Sequence, residues 1–125
     1  MKLFFAIIIA MNSASVCPQA DGAEFSFNES KHKFEDTQEG VLLEHDYHFT
    51  NTGNAPLIIS NYEVACTCTK ITFPKEPVSP GKSGVIHLSF DTNGKYGFQS
   101  RKVQIYSNAS KKPQTLSFKV TVIND

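Results

Sequence analysis

Cys66 and Cys68 stand one residue apart in Ala65-Cys66-Thr67-Cys68-Thr69, and two thiols at that spacing have several chemistries open to them. On an extended strand both side chains share one face, with Cα atoms about 6.5 Å apart at a rise of roughly 3.3 Å per residue. Disulfides usually span about 4.4–6.8 Å between Cα atoms, so a bridge here requires a local bend and would be readily reduced, which makes the two a candidate redox pair. Two same-side thiolates could instead chelate a soft ion such as Cu(I) or Zn. No second pair follows to complete a tetrahedral site. The plainer alternatives are a structural bridge, suited to an oxidising compartment, and cysteine as a small buried hydrophobe.

Other reactive side chains do not assemble by spacing. His45 and His48 are three apart, which on a strand places them on opposite faces, and His32 and His87 are isolated in sequence. The chain lacks Gly-x-Ser-x-Gly, His-Glu-x-x-His and a phosphate-cradling glycine loop, so it is expected not to be an enzyme. Asn28-Glu29-Ser30 and Asn108-Ala109-Ser110 fit the N-glycosylation sequon, a triplet that also arises by chance. The 12 basic and 12 acidic residues balance, and no basic patch points to nucleic acid.

The elements that position the cysteines read as strands. After residue 23 the chain shows short runs of period two, separated by Gly, Pro and Asn clusters, which predicts an all-β immunoglobulin-like antiparallel β-sandwich of about seven strands. Glu24–Phe27 opens it, and Lys31–Phe34 continues that strand or adds an edge piece. Val41–Asn51 is the longest candidate, with Leu43, His45, Tyr47 and Phe49 facing inward. Asn51-Thr52-Gly53-Asn54 reads as a hairpin connection, and Leu57–Val64 as the strand leading to the cysteines. Phe73–Gly81 is rich in proline and suits a passage between sheets. Ile86, Leu88 and Phe90, then Val103 and Ile105, then Leu116, Phe118, Val120 and Val122 mark inward faces of the later strands, with a loop over 107–113. Ten Phe, four Tyr and no Trp suit a sheet core.

The first 15 residues read as a secretory signal. Lys2 precedes the apolar run Leu3–Met11, and small polar residues follow. That run is shorter than the roughly 20 residues of a membrane span. Cleavage after Ser15 starts the mature chain at Val16, and cuts after Ala20 or Ala23 are alternatives. Ala14-Ser15-Val16-Cys17 is similar to a lipoprotein box, although Val16 stands where a smaller residue is usual. Cys17 is therefore a candidate lipidation site, and its lipid would be the chain's route to a membrane. Residues 24–125 make one domain of a size that buries a core without staples.

These stretches together resemble a bacterial exported family abundant in Bacteroidetes, catalogued as a domain of unknown function and related to Hydin-type immunoglobulin-like domains. The resemblance runs from about Phe25 to Val122. It is carried by His32-Lys33-Phe34 with Glu39-Gly40, by Phe49-Thr50-Asn51-Thr52-Gly53-Asn54-Ala55-Pro56-Leu57, and by Cys66-Thr67-Cys68-Thr69. Pro77-Val78-Ser79-Pro80-Gly81 with Gly84, Phe90-Asp91-Thr92 and Ser107-Asn108 complete it. Two positions depart from the family pattern. Thr67 replaces the usual glycine, which makes a tight cysteine-to-cysteine turn harder, and Glu35 stands where a glycine often follows the phenylalanine. The resemblance implies an exported immunoglobulin-like domain and names no substrate.

The resulting expectation is a non-catalytic binding or structural module of the envelope. It would sit in the periplasm or at the cell surface of a Gram-negative bacterium, with an envelope protein or peptide as partner. The alternative is a protein that binds copper or zinc, or exchanges thiols, through Cys66 and Cys68.

Overall fold

A computed structural model describes residues 22–124; the signal segment and Cys17 lie outside them. Among the described residues nine strands form in chain order. They are β1 (Phe25–Phe27), β2 (Lys31–Lys33), β3 (Thr37–Gln38), β4 (Leu42–Asn51), β5 (Ile59–Val64), β6 (Thr69–Thr72), β7 (Ser83–Asp91), β8 (Gly97–Ser107) and β9 (Ser110–Ile123). One sheet has the order β1-β4-β7-β6 and the other β2-β9-β8-β5, with β3 also on β9. The immunoglobulin-like sandwich expected from the period-two runs is the observed architecture, and its strands exceed the expected seven because β2 and β3 are short additions.

The alternation of apolar residues explains the core. Ile86, Leu88 and Phe90 of β7 are fully buried, as are Val103 and Ile105 of β8 and Leu116 and Phe118 of β9. Tyr47 and Phe49 project from β4 into the same layer. The Tyr47 hydroxyl donates to the Ser117 carbonyl at 2.8 Å and so ties one sheet to the other.

Several expectations about connections need correction. β2 and β3 run parallel to β9, so the second sheet is mixed rather than purely antiparallel. Asn51–Asn54 is not a hairpin. β4 and β5 lie in different sheets, and no non-glycine residue takes a positive φ there or elsewhere among the described residues. Asn51 instead anchors a crossing. Its Oδ1 accepts from Gly53 N–H (3.0 Å) and Glu24 N–H (3.2 Å), and its Nδ2 donates to the carbonyls of Ala55 (2.8 Å) and Val78 (2.9 Å). Gly53 must lack a side chain, because a Cβ would strike the backbone of Gly22, Ala23 and Glu24.

The proline-rich 73–81 segment does not pass between sheets. It leaves β6 and returns to β7 within one sheet, and Val78 bridges Leu57 on the way. β9 begins at Ser110, so much of the expected loop at 107–113 is strand, and β9 rather than β4 is the longest. The register shift between Ile105 and Ser107 accommodates Pro113, which has no N–H to give.

Candidate functional site

The cysteines lie where the chain changes sheets. β5 belongs to one sheet and β6 to the other, and Ala65–Cys68 is the passage between them. The passage bends at Thr67 and Cys68, which brings the Cα atoms of Cys66 and Cys68 to 5.2 Å, and a disulfide joins them. The bend is made without a left-handed residue, so Thr67 is tolerated where the family usually places glycine. Cys68 N–H donates to Cys66 Sγ at 3.2 Å, and its carbonyl accepts from Asp91 N–H at 2.9 Å. Both cysteines are half-buried and Thr67 is exposed. Leu42, Thr67, Cys68, Lys70, Ser89 and Asp91 line an open depression of about 330 Å³ beside the bridge. While bridged, neither sulfur offers a thiolate to an ion.

That depression lies toward one end of the sandwich. β4 and β8 start there, and β5 and β7 finish there. Val41 (42%), Leu42 (56%), Tyr96 (76%) and Phe98 (63%) are exposed toward this end, with Leu42 on the outer face of the first sheet and Phe98 on that of the second. Thr92 holds the loops together, its N–H and hydroxyl both donating to the Val41 carbonyl at 3.3 and 2.6 Å. Gln99 Nε2 donates to the Tyr96 carbonyl at 2.8 Å.

A second cluster was not visible in the spacing of the histidines. His32 on β2 and His45 on β4 project inward from opposite sheets and stack, with ring centroids 3.6 Å apart and 11° between planes. Glu29 Oε1 lies 2.9 Å from His32 Nδ1. Burial, and then the neighbouring His32, lower the pKa of His45. The one signal available in sequence was His45 itself, a polar residue at an inward position between Leu43 and Tyr47. Among the described residues no histidine joins the cysteines in a potential ligand group.

A third group lies on the outer face of the first sheet. His87 pairs through Nδ1 with Asp46 at 2.5 Å and through Nε2 with Glu44 at 3.3 Å, across the β4–β7 register that sets Asp46 opposite His87. The hydrogen bond to Asp46 raises the His87 pKa, burial opposes it, and Glu44 adds to the rise. A His with a raised folded pKa contributes stability that is present below its unfolded value, about 6.5, and lost as pH rises through the folded value. The side chain is 39% exposed, so the contribution is small. The NMR titration of His87 should have its midpoint above that of His45, and Asp46→Asn should bring it down; an unmoved midpoint would show that the pair does not persist in solution.

Comparison with known proteins gives a family and a fold. Residues 25–122 match the family model described as "Protein of unknown function (DUF1573)". A search of the curated proteins finds no match. Among solved structures, a protein of unknown function from Porphyromonas gingivalis W83 superposes with a TM-score of 0.69 at 12% identity. The alignment covers 87% of this chain and 51% of that one. The ASH/PapD-like domain 7 of human CEP192 aligns with a TM-score of 0.62 at 10% identity, over 81% of this chain and 86% of that domain. The secreted serine protease VesC of Vibrio cholerae aligns with a TM-score of 0.62 at 19% identity, over 78% of this chain and 23% of the protease. The chain thus spans about half of the Porphyromonas protein and under a quarter of the protease. At these identities the likeness is one of fold.

Proposed function

Because the chain belongs to the family described as protein of unknown function DUF1573, we propose that it is a non-catalytic immunoglobulin-like binding module of the bacterial envelope, whose partner is a protein or peptide. The observation that carries this reading is a pair of exposed aromatics two residues apart at the start of β8, Tyr96 and Phe98. Large exposed aromatic side chains close together mark contact surfaces, and such residues dominate the energy of the contacts they make. Export rests on the signal-like residues 1–15. Gly22 is hydrogen-bonded to Asn54 and Ala23 is buried, which favours cleavage before these residues over a cut after Ala23.

The test is a pull-down from an envelope fraction with the mature protein and with Tyr96→Ser/Phe98→Ser. A saturable partner, lost in the double variant while its Tm is kept, is the expected result. Failure to recover one, or undiminished capture by the variant, would refute the reading.

A second reading is favoured by one observation, the N–H of Cys68 directed at Cys66 Sγ. On reduction that donor would stabilise a Cys66 thiolate, the nucleophilic form. The bridge would then accept two electrons and two protons from a dithiol, which leaves as a disulfide. The reduced pair would also be the form able to take Cu(I) or Zn. The Cys66→Ser/Cys68→Ser variant should fold, with a stability loss of about 1.6 kcal/mol from so short a loop. It should also lose exchange with glutathione. Equal exchange in variant and parent would exclude this reading.

A further inference from the structure

We propose that Glu29, His32 and His45 form a binding site for a divalent transition-metal ion, separate from the cysteine pair. One potential ligand atom from each lies within 4.8 Å of the other two. Two imidazoles and a carboxylate are the donor set that suits Zn²⁺ and its neighbours in the first transition row. Water would fill the fourth position from the exposed Glu29 side.

The surroundings favour an ion over a packing role for these rings. His45 is half-buried, and among the described residues no protein group hydrogen-bonds to its ring. No buried side-chain polar atom among the described residues is left unsatisfied, so the unbonded His45 ring nitrogens reach solvent and are open to an ion. Phe34 and Tyr47 meet the His45 ring edge-on at 6.0 and 4.8 Å, forming apolar walls. The Tyr47 hydroxyl is occupied by Ser117 and does not compete for the ion.

The two histidines belong to different sheets, so the ion would clamp β2 to β4 across the open side of the sandwich. Zn–N bonds of about 2.0–2.1 Å set tetrahedral ligand atoms roughly 3.4 Å apart. Reaching that geometry requires the stacked rings to tilt about χ2, a torsion with broad wells. Glu29 would exchange its contact with His32 Nδ1 for a bond to the ion.

Calorimetric titration of the mature, disulfide-intact protein with Zn²⁺ in a non-chelating buffer tests the proposal. One ion should bind per chain, and His32→Gln and Glu29→Gln should each weaken binding, the histidine change by about tenfold or more. Cys66→Ser/Cys68→Ser and His87→Gln should bind as the parent does. On the unaltered protein, Co²⁺ should shift the NMR signals of His32 and His45 far more than those of His48 and His87, a readout that requires no variant to fold. Absence of saturable binding, binding unchanged in His32→Gln, or loss of binding in the cysteine or His87 variants would overturn the proposal.

Discussion

Asn51→Leu should lower stability by about 3 kcal/mol or more, since each buried group left without its partner costs roughly 1–3 kcal/mol. For a domain near 100 residues that is a fall in Tm of roughly 12–24 °C. Asn51 is fully buried, and its amide makes four hydrogen bonds to backbone groups of Gly53, Glu24, Ala55 and Val78. No buried side-chain polar atom among the described residues lacks a partner, so this satisfaction is complete in the parent. Leucine is close in size but removes both donor and acceptor, and the backbone groups are stranded. Asn51→Asp is the sharper control. It keeps the shape, replaces two donors with an acceptor facing the Ala55 and Val78 carbonyls, and buries a charge without a counterion. Urea melts of both variants give the measurement, and a loss under about 1 kcal/mol in each would show that the crossing does not depend on this amide.

Phe49→Ala should cost about 3–5 kcal/mol, the usual range for a buried aromatic truncated to alanine. Phe49 is 1% exposed, meets Phe25 and Phe27 with centroids 5.1 and 5.8 Å away, and lies opposite Gly84 in the β4–β7 register. A Cβ placed on Gly84 would come within 2.6 Å of the Phe49 Cζ atom. Gly84→Ala alone should therefore overpack the site and cost about 1–3 kcal/mol. Combined with Phe49→Ala, the Gly84 change should become nearly free, because the ring it strikes has gone. The double-mutant cycle should report a coupling of about 0.5–3 kcal/mol. Additivity within experimental error would mean that the ring moves aside without cost.

Inward faces were legible from period two alone, as in Ile86-His87-Leu88-Ser89-Phe90, because burial on one side imprints alternation directly on the residues. The allocation of strands to sheets was not. Turn-forming residues at Asn51–Asn54 serve a hairpin and a crossing between sheets equally well, and the distinction depends on Asn51 reaching Val78, which spacing does not encode. Likewise, the short strand at Lys31–Lys33 acquires a place only by pairing with 117–119. The cysteine pair was visible because its members are adjacent in sequence, and so was the need for a bend. That Thr67 could occupy that bend was not, since the backbone angles adopted there are a property of the folded passage. His32 and His45 meet only because two sheets close on one another, and the inward placing of His45 was the sole trace of it. The long Phe49–Leu57 signature turns out to describe construction: Asn51 bonding, Gly53 yielding space and Leu57 filling the core.

The place of β9 sets the order in which the molecule can be assembled. Among the described residues it is the only strand that pairs with β2 and β3, and Lys31 waits for Ser117. A ribosome delivers these segments far apart in time, so the early strands have nothing to template them until nearly the whole domain has been synthesised. Chains dominated by such distant pairings acquire structure on the order of milliseconds to seconds rather than microseconds. Until β2 and β3 dock, the edge of β9 that they cover is open to other chains, so holdase chaperones and a low concentration should raise the yield of refolding.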